Sequence, residues 1–272
     1  MEFRCGSITM DTEELIRKCK AISIRDGHER KLLLRGGTQG QGGRIMANSL
    51  VGKVLLALSI HIEGIKTALA QAWRTIKEVK VESLGNNIFL FKFGLETDKK
   101  KVMAGGPSHF DRSLIVLKEP GGIGNMRKEE FTHAAFWVQI HNMPIVCMDR
   151  ENVQKLGELI REVMEVETDE DGECIGSYAR IRISINITKP LEKMVFLELD
   201  DNDEVELPVL YERLPDFCFS CGTIGHQFKE CALYEGQSKE NLPYGVYMRE
   251  LSKAEKTRIN RGRDKWNKRG EQ

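Results

Sequence analysis

Four metal-ligating side chains lie close together in the C-terminal part of the chain. Cys218, Cys221, His226 and Cys231 follow the spacing Cys-x2-Cys-x4-His-x4-Cys. Three thiolates and one imidazole at this spacing can close a tetrahedral zinc site of the structural Cys3His type. So short a segment cannot bury a core of its own, so the metal would supply its folding energy. The sequence therefore predicts a Zn²⁺ site.

This stretch resembles the retroviral-type zinc knuckle, with which it also shares Gly222 and Gly225, residues that let the backbone turn between ligands. Zinc knuckles are RNA-binding modules. The resemblance implies single-stranded RNA or DNA as the ligand, with Phe219 and Ile224 in contact with unpaired bases. We expect Lys229 to neutralise phosphates beside them. The alternative is a zinc staple that touches no nucleic acid, because zinc modules also serve as protein adaptors.

Composition indicates a globular protein of one to three domains. The chain has 272 residues, of which 40% are hydrophobic and 30% are charged. No apolar run approaches the roughly 18 residues of a membrane span, and the N-terminus has no signal-peptide core. The cysteines outside the predicted zinc site are scattered singly, which favours a reducing compartment. We therefore expect a nuclear or cytoplasmic protein, with the nucleus favoured, and no membrane partner.

A net charge of zero hides an asymmetry between the two ends of the chain. Residues 249–272 hold nine Lys/Arg and four Asp/Glu, whereas residues 1–248 hold 32 and 37. A basic tail beside a zinc knuckle is suited to phosphate contact. A solvated tail without a partner is the equally weighted alternative.

Residues 49–120 predict an α+β module. Strands are expected over 51–58, 79–84, 88–93 and 113–118, with helices between Ile62 and Trp73 and over 98–104. The order β-α-β-β-α-β is the split βαβ arrangement of ferredoxin-like and RNA-recognition folds. Phe89, Phe91 and Phe93 share one strand face. We assign them to the core rather than to base stacking, because the RNA-recognition signature is poorly matched.

Residues 131–212 predict a second, strand-rich α+β module. Strands are expected over 136–140, 163–167 and 178–187, with a hairpin from 194–199 and 205–210. Asp149 is placed to cap a helix that runs to Arg161. Arg180 and Arg182 lie on the polar face of a strand, where they could contact phosphates or pair with nearby acids.

The remaining segments complete the domain organisation. Residues 1–48 are expected to be a poorly ordered extension whose glycine-rich run, residues 36–43, is a linker. A phosphate-binding loop is the alternative, but the run lacks the Gly-Lys-Ser/Thr ending. The zinc knuckle occupies residues 215–234. Residues 235–272 are predicted as a basic C-terminal tail, with a helix over 248–264.

Residues 49–250 resemble plant retrotransposon-derived zinc-knuckle (CCHC-type) proteins with an N-terminal domain of unknown function. The resemblance rests on residues 50–55, 87–93, 136–140, 179–182, 211–215 and the knuckle itself. It implies zinc binding, nucleic-acid binding, a transposable-element origin and nuclear residence. It implies no catalytic residues.

These observations favour a non-enzymatic protein that binds single-stranded nucleic acid, RNA more than DNA, in a nucleocapsid-like role. The alternative is a protein-interaction adaptor whose partners bind residues 49–210. A decayed element fragment also stays open. A polymerase or nuclease needs clustered carboxylates, and neither a Tyr-x-Asp-Asp stretch nor a Gly-x-Ser-x-Gly elbow is present. We therefore expect no enzymatic activity and no small-molecule substrate.

Overall fold

The computed structural model describes Glu14, Arg17, Lys18 and residues 41–121, 130–199 and 204–250. The chain divides into two units, Met1–Gly37 and Thr38–Gln272. In the first unit, Lys18 and Glu14 form an ion pair of 3.1 Å one helical turn apart. All other structural features below belong to the second unit. Among the described residues, no helix is long and apolar enough to cross a membrane.

The first sheet and its helices span residues 41–118. The elements are α1 (Gln41–Ala47), β1 (Ser49–Val54), α2 (Ile62–Trp73), β2 (Lys80–Gly85), β3 (Ile88–Lys92), α3 (Glu96–Ala104), β4 (Ser108–Phe110) and β5 (Ser113–Lys118). The strand order is β2-β3-β1-β5-β4, and all pairs are antiparallel. The predicted β-α-β-β-α-β order is confirmed, with β4 as an additional short strand.

Helix α1 corrects, for residues 41–47, the expectation that residues 1–48 form a poorly ordered extension. The last three residues of the glycine-rich run, Gln41, Gly42 and Gly43, begin this helix and are not part of a linker. The earlier residues of the run lie outside the described residues. Helix ends leave carbonyl groups without intrahelical partners. Here the Ser49 hydroxyl donates to the Ile45 carbonyl at 2.6 Å, and the Lys99 ammonium donates to the Ala47 carbonyl at 2.6 Å. Partners from the following strand and from α3 thus stabilise a helix that its glycines alone do not predict.

One face of the first sheet packs against α2 and α3. Phe89, Phe91 and Phe93 are all buried in this core with Ile65, Leu69 and Trp73 from α2. The Trp73 and Phe91 rings meet edge to face, with centroids 5.1 Å apart. The assignment of the three phenylalanines to the core is confirmed.

The opposite face of the first sheet is also closed. Val51, Ile88, Leu114 and Val116 are buried in a second core that includes Phe136 of the following module. RNA-recognition domains stack bases on aromatic side chains of their sheet. In this protein neither face of the first sheet presents such a surface, because helices cover one face and the second module covers the other.

The second sheet is built mostly from residues 133–212. The elements are β6 (His133–His141), a 3-10 helix (Ile145–Cys147), α4 (Arg150–Ile160), β7 (Glu162–Val166), β8 (Tyr178–Asn186), β9 (Met194–Glu198), β10 (Glu204–Glu212) and β11 (Arg249–Glu250). The order is β11-β10-β6-β8-β7, with β9 paired to β10. Asp149 caps α4 as predicted, since its carboxylate accepts from the Asn152 backbone N–H at 2.9 Å. The strict alternation of β8 is also confirmed, with Ala179, Ile181, Ile183 and Ile185 buried.

Between the predicted zinc site and residue 250 the chain is folded and does not form the predicted tail. Two 3-10 helices, Lys239–Asn241 and Val246–Met248, lead into β11, which pairs in parallel with Tyr211 and Glu212. Strand β11 also occupies the first part of the helix predicted over 248–264. The rest of that helix and of the basic tail, residues 251–272, lies outside the described residues.

Candidate metal centre and nucleic-acid interface

The four predicted metal ligands come together around two tight turns. The Cys218 N–H donates to the Thr223 carbonyl at 2.9 Å, which closes the loop between the first two ligands. Gly222 and Gly225 have φ angles of 76° and 109°, in the region that glycine adopts without steric cost. The 3-10 helix Phe228–Glu230 then brings Cys231 back, with Gln227 and Glu230 forming a capping box. The sequence-predicted role of both glycines is confirmed.

The donor set fits a tetrahedral metal ion. The ligand atoms of Cys218, Cys221, His226 and Cys231 all lie within 4.8 Å of one another, and the Cys221 sulfur is 3.5 Å from His226 Nε2. Zinc–sulfur bonds of about 2.3 Å place two tetrahedral sulfur ligands about 3.8 Å apart. Within the described part of the chain, this is the one group of three or more His, Cys, Asp or Glu side chains close enough to share an ion.

The thiols of this cluster differ in their electrostatic surroundings. Burial raises the pKa of Cys218 to about 11. The hydrogen bond with His226 is the main cause that lowers the pKa of Cys231. Burial opposes the ionisation of Cys221, but its hydrogen bonds together outweigh burial and lower the pKa of Cys221. These bonds join it to Thr223, whose hydroxyl lies at 3.0 Å, and to the other two cysteines of the cluster. A bound cation would favour the thiolate form at all three positions.

The segment that carries the cluster is fixed to the rest of the unit. The Leu191 N–H donates to the Gly222 carbonyl at 3.0 Å, and the Tyr244 N–H donates to the Phe219 carbonyl at 3.1 Å. The Tyr244 ring lies against Gly222 so closely that an added Cβ would be 2.6 Å from Tyr244 Cε1. Gly222 is therefore required by contact as well as by conformation.

Ile224 corrects the predicted base-contacting surface. Its side chain is only 7% exposed and belongs to the core that also holds Phe217 and Tyr211. Its backbone forms an antiparallel bridge with Phe217. Ile224 thus attaches the metal-binding segment to the body of the protein, by which we mean the two sheets and the core that they share. It is not on the surface, where a base could stack.

A row of aromatic rings runs along the outside of the cluster instead. The Phe219 and Phe228 rings are nearly parallel, 8° apart with centroids separated by 6.1 Å, and Phe228 meets Tyr234 edge to face at 5.2 Å. All three side chains are half-buried. Lys239 Nζ lies 5.4 Å from the centre of the Phe219 ring. The Phe219 ring is half-buried, and its contact with unpaired bases stays a prediction.

Phe228 and Tyr234 were missed by the sequence reasoning. The available signal was an aromatic residue two positions after His226 and a second one three positions after Cys231. Lys229 is exposed on the 3-10 helix and has no hydrogen bond or ion pair among the described residues. The proposed phosphate contact of Lys229 stays a prediction.

The arginines of β8 are engaged within the protein. Arg180 donates to both carboxylate oxygens of Glu212 at 2.8 and 2.9 Å and to Glu167 at 2.6 Å. Its guanidinium also lies 3.9 Å from the centre of the Trp137 ring. Arg182 donates to the Met103 carbonyl. For Arg180, pairing with nearby acids is therefore confirmed over a free phosphate-binding role.

A cleft of about 460 Å³ separates the metal-binding segment from the first sheet. It is lined by the 55–58 and 111–114 segments, Asp216, Gly225, His226, Gln227 and Glu230. Three carboxylates and a single arginine line the cleft, so its negative charge disfavours binding of a nucleic-acid backbone there. The aromatic row therefore presents the more suitable chemistry for nucleic acid.

Comparison with known proteins gives the following similarities. No curated protein sequence matches the chain. Among solved structures, the RNA-binding domain of Hrp1 in complex with RNA has 12% identity and a TM-score of 0.24, covering 60% of this chain and 95% of that chain. The first two RRM domains of yeast poly(U)-binding protein (Pub1) have 10% identity and a TM-score of 0.21, covering 60% and 98%. Similarities at these TM-scores carry no argument about fold or function.

Two family models match separate parts of the chain. The first, "Domain of unknown function (DUF4283)", matches residues 46–119 and so includes β1 to β5. The second, "Zinc knuckle", matches residues 185–233 and so includes all four clustered ligands. The chain therefore contains a DUF4283 domain and, after it, a zinc knuckle.

Proposed function

We propose that this protein binds single-stranded nucleic acid, RNA in preference to DNA, on the zinc knuckle. The observation that carries the proposal is the row of half-buried rings, Phe219, Phe228 and Tyr234, on the outside of a four-ligand cluster. Unpaired bases stack on aromatic rings with little dependence on sequence. Lys229 and Lys239 lie beside the row, where they can contact phosphates.

Zinc would act by holding the backbone that presents these rings. Bound by Cys218, Cys221, His226 and Cys231, it would supply the folding energy of the knuckle. Phe219 follows the first ligand directly, and Phe228 lies between the last two. Both rings are thus fixed by neighbouring ligands, so base stacking would depend on the metal without any contact to it.

The proposed role is binding rather than catalysis. Catalytic zinc sites keep one coordination position open for water or substrate. The knuckle instead brings four protein donors together, which is the arrangement of structural sites. The resemblance to retrotransposon-derived zinc-knuckle proteins supports a nucleocapsid-like role, element ancestry and residence in the nucleus as parts of the same proposal.

An adaptor protein is the second candidate function, and one observation favours it. The buried Ile224 and the contact between Tyr244 and Gly222 attach the knuckle to the body. A zinc staple that only completes the fold would show the same attachment. The two functions therefore differ in whether the half-buried aromatic row binds bases.

The test measures binding of the zinc-loaded protein to labelled single-stranded RNA and DNA over a salt series. Phe228→Ala is expected to weaken RNA binding by about 1–3 kcal/mol, the range for one stacked base. Phe196→Ala is the matched control, because Phe196 is 52% exposed on β9, outside the knuckle. Zinc content is measured for each variant.

Unchanged RNA affinity in Phe228→Ala with full zinc content would refute base stacking on the row and favour the staple. Absence of saturable binding by the wild-type protein would refute the proposed function altogether. Cys221→Ser tests zinc dependence separately, with loss of both zinc and RNA binding as the expected result.

A further inference from the structure

The second module has a charge opposite to that of the DUF4283 domain. Residues 131–212 hold seven Lys/Arg and 18 Asp/Glu, a net charge of −11, whereas residues 49–120 hold eleven and seven, a net charge of +4. Because the two modules differ in the sign of their net charge, they favour partners of opposite charge. A module with this negative charge repels nucleic acid and anionic membranes alike.

Part of this charge projects from one rigid turn, which we call the acidic turn: Asp169, Glu170, Asp171 and Glu173. All four residues are exposed. The Asp169 carboxylate accepts from the backbone N–H groups of Asp171 at 3.0 Å and Glu173 at 2.8 Å. These bonds fix the backbone of the turn, so its side chains are presented to solvent in a defined arrangement.

Three large apolar side chains lie beside the acidic turn, and we call them the apolar tip: Ile145, Val146 and Ile175. They are 71%, 85% and 61% exposed. The two segments run side by side, because the Cys174 N–H donates to the Met148 carbonyl at 3.0 Å and Asp149 bridges Glu173. The neighbouring Met148 and Cys174 are buried, so they anchor the segments while the tip contributes nothing to the core.

We propose that the apolar tip and the acidic turn together form a docking site for a basic amphipathic segment of a partner protein. Exposed branched side chains gain from burial against apolar groups, and the adjoining carboxylates complement lysine or arginine on the same segment. Nucleic acid offers few aliphatic groups for the tip to bury and carries the same sign of charge as the acidic turn. The site is therefore separate from the aromatic row.

The test uses the full chain and a fluorescein-labelled synthetic helical peptide with lysines on one face and leucines on the other. One control peptide has glutamate for every lysine, and another has serine for every leucine. The double variant Val146→Ser, Ile175→Ser removes the tip. Ile76→Ser is the matched control, because Ile76 is 79% exposed in the DUF4283 domain.

Saturable binding of the basic peptide, weakened about tenfold or more in the tip variant and unchanged in Ile76→Ser, is the expected result. The double variant Glu170→Gln, Asp171→Asn should also bind more weakly and lose part of the salt dependence. RNA binding should be unchanged in every variant.

Three outcomes would overturn the proposal. One is equal peptide binding by the wild-type protein and the tip variant, or no saturable binding at all. Another is wild-type affinity for the glutamate or serine peptide as high as for the basic one. The third is weaker RNA binding by the tip variant, which would place nucleic acid on the tip.

Discussion

Replacement of Ile224 by alanine distinguishes two roles of this side chain. The structure indicates that it attaches the knuckle to the core, whereas the sequence predicted that it contacts bases. The variant loses three carbon atoms from a side chain that is 7% exposed. At about 0.8 kcal/mol for each buried CH₂ group, the lost transfer free energy is about 2.4 kcal/mol. A cavity between the knuckle and the body adds to this value, and isoleucine-to-alanine changes in cores cost about 2–5 kcal/mol. We expect the free energy of unfolding to fall by about 3 kcal/mol.

The assay is urea unfolding of the zinc-loaded protein with linear extrapolation to water. RNA binding is measured in parallel, under conditions where both proteins are folded. The matched control Ile76→Ala changes an exposed isoleucine and should stay within about 0.5 kcal/mol of the wild type. If Ile224→Ala left stability unchanged while weakening RNA binding tenfold or more, the assignment of Ile224 to the attachment of the knuckle would be refuted.

Three further predictions follow from the same structure. Gly222→Ala should lower stability by at least about 1–2 kcal/mol in thermal unfolding. The added Cβ disfavours the positive φ of this residue and would clash with the Tyr244 ring. Full stability of the variant would show that this contact is absent in solution. Burial, followed by repulsion from Arg213, lowers the pKa of His109 from 6.5 to about 4. The unfolded chain therefore binds more protons between these values, so stability should be full above pH 6.5 and fall by about 3 kcal/mol towards pH 4. His109→Gln should remove this part of the pH dependence, and an unaltered profile would contradict the burial of the imidazole. Removal of zinc with a chelator should increase the binding of a hydrophobic dye, because Ile224 shares the core of the body; unchanged dye binding would indicate a body that is independent of the knuckle.

Local patterns predicted the elements that depend on local interactions. The apolar spacing of α2 matches its observed limits, Ile62 and Trp73, because one amphipathic face determines a helix of this length. Asp149 caps α4 through a bond to a residue only three positions away. The four zinc ligands are likewise close in sequence, and two glycines between them allow the required turns. Each of these features depends on interactions between residues close together in the sequence. A local sequence pattern can therefore predict it.

The features that were missed depend on contacts between distant segments. Ile224 fits a solvent-facing position in an isolated knuckle, but residues far away in the chain, such as Tyr211, form the core into which it packs. Helix α1 depends on the Lys99 side chain from α3. Strand β11 has only two residues and exists because Tyr211 and Glu212 provide an edge to pair with. No periodicity within these segments encodes the partner.

The attachment of the knuckle changes what an experiment on zinc can show. In an isolated knuckle, loss of RNA binding after zinc removal would point directly to the metal-organised surface. Here the same treatment would also release Ile224 and the packing of Tyr244 on Gly222. Loss of RNA binding would then follow from any damage to the rest of the protein. The result would therefore not distinguish a knuckle that binds RNA from a zinc staple that touches no nucleic acid. Phe228→Ala does separate them, because Phe228 is not a ligand and lies outside the buried core. A variant that keeps its zinc and its stability and still loses RNA affinity would leave base stacking as the remaining cause.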